Sequence, residues 1–221
     1  LQTSLLAEKR NAEIIGSAGS AGADGRRIAD YYAAYMDTAA IEARGLAPMR
    51  AELDAIAALR DKAALSRMLG ANTRVDVDPL NATDFRTENL FGLFVTQHFD
   101  KPAQTVPYVL QGGLGLPDRE YYVSRTPQMA ELRQAYEEYI AKLFGLAGLD
   151  DPAGRAARVM ALETKIAGAH ATLEESQDAR KANNSWSKTD FATKAPGVDW
   201  NLYWAAAGLP EQREFIVWHP E

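Results

Sequence analysis

The sequence predicts a mainly α protein, an irregular multi-helix domain with one small β-hairpin. Three observations carry this expectation. Apolar residues return every three and four positions along most of the chain, the spacing of one helix face. A single region, residues 90–111, is rich in β-branched and aromatic residues. No unit repeats at a fixed period, and long helical patterns joined by short connections argue against a doubly wound sheet.

Taken in order, residues 1–16 read as an entry helix with Leu5, Leu6, Ile14 and Ile15 as its apolar positions. The stretch GSAGSAGADG reads as a flexible linker over 17–25, and Asp24 is placed to cap the next helix. Residues 26–89 hold helices and a loop. From Arg26 to Arg44 the residues Ile28, Tyr31, Tyr32, Tyr35 and Ala39 form one face, read as core, and Gly45 stops the helix. Pro48 suits the first turn of a helix with Leu53 and Ile56 inward, and Asp61 caps the next one, which ends at Gly70. NTRVDVDPLNATDFRTEN breaks the helical rhythm and reads as an ordered loop.

LFGLFVTQHFD and TVPYVLQ are the two expected strands, joined through DKPAQ; Pro107 suggests that the second is short or at an edge. Thr126-Pro127 opens a helix to about Gly145 with Met129, Leu132, Tyr136, Tyr139 and Leu143 inward. Asp151-Pro152 opens another to about Ser176 with Val159, Leu162, Ile166, Ala169 and Leu173 inward. Ser187 and Asp190 resemble a capping box, Asp199 precedes a last helix stopped by Gly208, and EFIVWHPE is strand-like. The sum is about seven or eight helices.

The chain has 221 residues, enough for a sizeable core, with 47% apolar and 24% charged residues. A net charge of −6 without basic clusters argues against nucleic acid as a partner. No apolar run approaches the length of a membrane span. With no cysteine, disulfides, thiolate zinc sites and cysteine nucleophiles are ruled out for these residues. The chain starts at Leu1 within a helical pattern and stops on an apolar run, so it is expected to be a piece of a longer polypeptide.

The chemistry-bearing residues are sparse. His98, His170 and His219 are too far apart in sequence for an H-E-x-x-H zinc pair. There is no G-x-S-x-G, and nothing singles out one serine, though a Ser/His/Asp triad is recognised by geometry rather than spacing. GSAGSAG and GGLGLPD lack the strand, lysine or third glycine of a phosphate loop. Glu137-Glu138 and Glu174-Glu175 are neighbours on helices, so each pair diverges and reads as solvated surface. No catalytic residue and no metal ligand is expected in this chain.

One stretch is different. Gly113 to Tyr122, GLGLPDREYY, packs special backbone against polar chemistry, and it is similar to the G-L-G-L-P-[DS]-R-[DE]-Y-Y corner of the neprilysin family of zinc metallopeptidases. The strand, Asp-containing hairpin and strand before it follow that family's order. LETKIAGAH, with Glu163, resembles the family's L-E-x-x-[IL]-A helix. QDARKANNSWSKTDF resembles R-D-x-x-x-x-Y-N-x-M-[ST]: Asp178, Asn184 and Ser187 match, whereas Gln177, Asn183 and Trp186 depart. The likeness is clearest from about Leu90 to Leu209.

The resemblance implies an N-terminal fragment of a zinc metalloendopeptidase that cleaves peptides. This part would form the helical lid and chamber wall. Zinc, the parent's cofactor, and its ligands would lie in a C-terminal catalytic lobe, the expected partner, and not in this chain. The family's members imply an exported, periplasmic or extracellular location. Gly113, Gly115, Pro117, Asp118, Arg119, Tyr121, Tyr122, Glu163 and Asn184 are the motif residues carried over, with structural roles expected of them. The competing reading is a stand-alone, non-catalytic helical binding module.

Overall fold

Local capping chemistry sets most of the element boundaries. In the computed structural model, which describes residues 2–73 and 87–220, Asp37, Asp61, Thr126, Asp151, Thr172, Ser187 and Asp199 each accept a hydrogen bond from a backbone N–H in the first turn of the next helix. These side chains satisfy donors that a helix leaves open at its start. The described residues form eleven α-helices and four strands, more and shorter helices than the periodicity alone suggests. The chain divides into two units, residues 1–58 and 59–221.

The first unit holds α1 (Gln2–Ser17), α2 (Gly22–Met36), α3 (Thr38–Arg44) and α4 (Arg50–Ala57). The expected linker over 17–25 is instead a helical corner: a 3-10 turn over Ala18–Ser20 leads straight into α2, and Gly25 lies against the Ala18 carbonyl and Ala21. Small residues here allow close packing rather than flexibility. The helix expected from Arg26 to Arg44 is broken at Asp37, whose carboxylate caps α3 through Ala40 N–H at 2.9 Å. Its expected core face is open: Tyr31 is 77% and Tyr35 70% exposed, and Ile28 and Tyr32 are exposed too, as is Ile56, expected inward on the next helix. Amphipathic spacing marks a face that packs, but not what it packs on.

The second unit begins with α5 (Lys62–Asn72) and, after residues 74–86, β1 (Phe91–Gln97) and β2 (Thr105–Gln111). The loop expected over 72–89 lies mostly outside the described residues. β1 and β2 pair antiparallel as the expected hairpin, with Leu93 opposite Val109. The hairpin is half of a four-stranded sheet of order β1-β2-β4-β3, completed by β3 (Asn184–Trp186) and β4 (Phe215–Val217). β4 runs parallel to β2 but pairs it only at Tyr108 and Val109. Pro107 therefore sits where β2 is paired on the β1 side alone, although the strand itself is interior.

Alternation along the strands sends side chains to two cores. Leu93, Val109, Phe215 and Val217 join Phe191, Trp200, Tyr203 and Trp204 from α10 (Lys188–Lys194) and α11 (Trp200–Ala206). Trp204 stacks on Phe215 with ring centroids 4.2 Å apart. Phe94, Val106, Tyr108, Leu110 and Ile216 fill the opposite face. A third core joins Leu114 and Tyr122 to α7 (Pro127–Leu146) and α8 (Pro152–Ala169).

Both long helices bury only part of the faces their spacing suggested: Tyr136, Val159 and Ile166 pack as expected, and the rest of each buried row is shifted. α7 packs through Tyr136, Ile140 and Phe144, leaving Leu132, Tyr139 and Leu143 exposed. α8 packs through Ala156, Met160, Ile166 and Ala167 and leaves Leu162 outside. α8 also stops at Ala169, well before Ser176. A separate turn, α9 (Leu173–Ser176), starts from a Thr172–Glu175 capping box, so Glu175 serves as a cap, not only as solvated surface.

Candidate functional site

The GLGLPDREYY corner joins the end of β2 to the α7–α8 pair and includes α6 (Glu120–Val123). Its geometry is built around one carboxylate. Tyr122, buried, donates from its hydroxyl to Glu163 Oε2 on α8 at 2.5 Å and accepts from Leu116 N–H at 2.8 Å. Tyr136 of α7 donates to Glu163 Oε1 at 3.3 Å. Burial and the Glu163 carboxylate push the Tyr122 phenol well above its ordinary pKa, so it stays a donor at any physiological pH.

The glycines allow this approach. Gly113 has φ +82°, which L side chains rarely adopt. At Gly115 a Cβ would stand 1.8 Å from Tyr136 Oη, so only hydrogen fits. Asp118 Oδ1 accepts from Glu120 N–H at 2.7 Å and folds the chain back on itself after Pro117. Arg119 donates through Nε to Ala167 O at 3.4 Å, near the end of α8, and through Nη1 to Glu120 Oε1 at 2.9 Å. The Tyr121 carbonyl accepts from Arg133 at 2.8 Å. Eight of the nine expected motif residues thus meet around the corner. Asn184 does not: it lies in β3, donating to Val217 O at 3.0 Å and Lys181 O at 2.5 Å.

Beside the corner is a cavity of about 290 Å³, lined among others by Gly112, Leu114, Arg119, His170, Trp218 and His219. Sequence reasoning missed this grouping because its members are distant in sequence: Gln111 N–H, for example, donates to His219 Nδ1 at 3.3 Å across 108 positions. His219 Nε2 stands 2.9 Å from Ser176 Oγ, and His170 Nε2 is 3.0 Å from Gly112 O. Burial, and then the neighbouring His170, hold His219 down to about 4. Burial, with Arg119 adding to it, lowers His170 as well. Both rings are neutral at pH 7.

Ser176 and His219 form a hydroxyl–imidazole pair in this cavity, and its tautomer decides what it can do. The Nδ1 lone pair of His219 faces the Gln111 N–H, so Nε2 carries the proton and donates to Ser176. A ring held in that tautomer cannot take the serine's proton, so the pair ties α9 to the segment after β4 and does not activate a nucleophile. His98, buried just after β1, is locked likewise: Asp100 N–H donates to Nδ1 at 3.0 Å, and Nε2 meets Glu214 Oε1 at 3.2 Å.

The donor set does not fit a zinc ion. A zinc-bound imidazole needs a free lone pair, and those of His98 and His219 are occupied by backbone donors. Among the described residues no group of three His, Cys, Asp or Glu stands close enough to hold a metal. The arrangement positions backbone: it fixes the end of β2, the corner and the last turn of α8 to one another.

Comparison with known proteins gives this corner a context. The family model described as peptidase family M13 matches residues 2–221. Endothelin-converting enzyme 1 of Cavia porcellus is 26% identical over 144 residues, which are 62% of this chain and 19% of that protein. The Homo sapiens enzyme is 24% identical over the same shares. Among solved structures, zinc metalloprotease Zmp1 of Mycobacterium tuberculosis in complex with an inhibitor superposes on 97% of this chain and 32% of its own, at 32% identity and a TM-score of 0.77. The same protein in its open state gives 0.76. The chain spans about a fifth of the length of the curated relatives and about a third of the Zmp1 chain. With the family model matched from residue 2 to residue 221, the chain belongs to peptidase family M13, the neprilysin-like peptidases.

Proposed function

We propose that this chain is the N-terminal part of a zinc metalloendopeptidase that cleaves peptides. In this reading residues 1–221 supply lid and wall to a chamber over an active site, and zinc with its ligands belongs to a C-terminal catalytic lobe outside these residues. The observation that carries it is the superposition of nearly the whole chain on one third of a structure named as a zinc metalloprotease. The corner fits a structural part in such an enzyme: its acidic, phenolic and guanidinium groups are spent on one another and on backbone. The proposal extends to peptide substrates and to an exported location, periplasmic or extracellular, as the family resemblance implies. No helix among the described residues is long and apolar enough to cross a membrane.

The test is hydrolysis of a quenched fluorescent peptide by the complete polypeptide and, separately, by residues 1–221. Activity is expected in the complete polypeptide alone, lost on chelation and restored by zinc. A complete polypeptide that binds no zinc and cleaves no peptide overturns the reading and leaves the stand-alone binding module in its place.

A further inference from the structure

α7 carries an apolar arc wider than the row it buries. One flank packs inward through Tyr136, Ile140 and Phe144. The other carries Leu132, Tyr139, Leu143 and Leu146, which are 39%, 56%, 44% and 69% exposed. At 100° per residue these four fall within an arc of roughly 60° and run about 20 Å along the helix. Spacings of seven, four and three are those of a seam between helices, not of scattered surface residues. Exposed Glu131 and Glu138 lie along its solvent edge.

We infer that this stripe seats an amphipathic helix from the remainder of the same polypeptide, one with an apolar seam and Lys or Arg along the edge that meets Glu131 and Glu138. The inference rests on the proposal that the polypeptide continues into a catalytic lobe. Two arguments select this occupant. The Zmp1 chain is about three times the length matched here, so a relative of that size has ample chain to supply the helix. And a stripe about 20 Å long and about 10 Å wide offers on the order of 200 Å², far below the roughly 800 Å² per partner of a stable protein–protein interface. A second copy would be held too weakly by it. A segment of the same chain docks without the cost of bringing two molecules together.

The absence of cysteine from these residues provides the test. Leu143→Cys puts a thiol in the stripe, and Gln134→Cys puts one on the exposed side of α7 away from it. Maleimide labelling at each position is read by peptide mass in residues 1–221 and in the complete polypeptide. Labelling of Leu143→Cys is expected to slow on the order of tenfold or more in the complete polypeptide, with Gln134→Cys unchanged. Equal rates for Leu143→Cys in both would mean a bare stripe and overturn the inference. Protection that appears in residues 1–221 alone and grows with concentration would make a second copy the occupant and overturn it too. Protection of Leu143→Cys in a complete polypeptide that cleaves no peptide would keep the docking surface and discard the peptidase.

Discussion

At the scale of single residues, the corner is organised by Glu163, which holds Tyr122 and Tyr136 at once. Removing the Tyr122 hydroxyl strands two partners, the Leu116 N–H and the Glu163 carboxylate. Tyr122→Phe is therefore expected to cost about 1–3 kcal/mol of stability, read as a shift of the urea midpoint. A midpoint unchanged from wild type would remove Glu163 from the centre of the corner. Arg119 makes a different contribution, tying the corner to the last turn of α8 through Ala167 O. In the complete polypeptide Arg119→Ala is expected to lower the melting temperature while kcat for peptide hydrolysis stays near wild type. A large loss of kcat at unchanged stability would instead place Arg119 against substrate. The motif was legible as residues, but its centre was not. Glu163 is 41 positions from Tyr122, and only the fold reveals which carboxylate the tyrosine meets.

At the scale of elements, legibility followed the range of the force involved. The caps at Asp61, Thr126, Asp151 and Ser187 were readable because each acts on its own backbone three positions on. β3 was not readable: Asn184–Trp186 is three residues long and becomes a strand only by pairing with β4, some thirty positions away. On α7 only Tyr136 of the expected inward residues joins the third core, because the apolar arc is wider than the row that packs and periodicity alone cannot choose within it.

The link between β2, α9 and the segment after β4 gives a pH prediction at this same scale. His219 has a folded pKa of about 4 against an ordinary 6.5, lowered by burial and by His170. A lowered histidine pKa means that the unfolded chain binds the extra proton first. The stability is therefore fully present above about pH 6.5, declines as pH falls toward 4, and is flat below that. The loss is up to about 3 kcal/mol. The added proton must go to Nδ1, where the Gln111 N–H already points. The titratable group that faces it is His170, at the end of α8, which is itself influenced by Arg119 of the corner. His219→Gln is expected to unfold in urea with a smaller drop between pH 7 and pH 4.5 than wild type. An identical drop would assign the acid sensitivity elsewhere.

At the scale of the whole molecule, the two units differ in what they bury. Residues 59–221 contain all three cores, including a sheet packed on both faces. In the first unit only Ala18 and Gly25 are buried among the described residues, while Leu5, Leu6, Ile14, Tyr31 and Tyr35 are exposed. Four helices with almost nothing removed from water have little to offset their chain entropy. They open locally at low cost, and local opening is what a protease samples. Limited proteolysis of residues 1–221 with chymotrypsin is therefore expected to cut first at Tyr31, Tyr32 or Tyr35 and to leave a resistant product that retains residues 59–221. In a complete polypeptide whose remaining chain covers the exposed tyrosine face of α2, the same sites are expected to be cut more slowly. First cleavage within residues 91–217 would contradict the burial pattern, because it would make the unit with three cores the less stable one. Slower cutting of the tyrosines in the complete polypeptide would extend to α2 the argument made for α7: an apolar face with the right spacing and nothing beneath it is half of a contact.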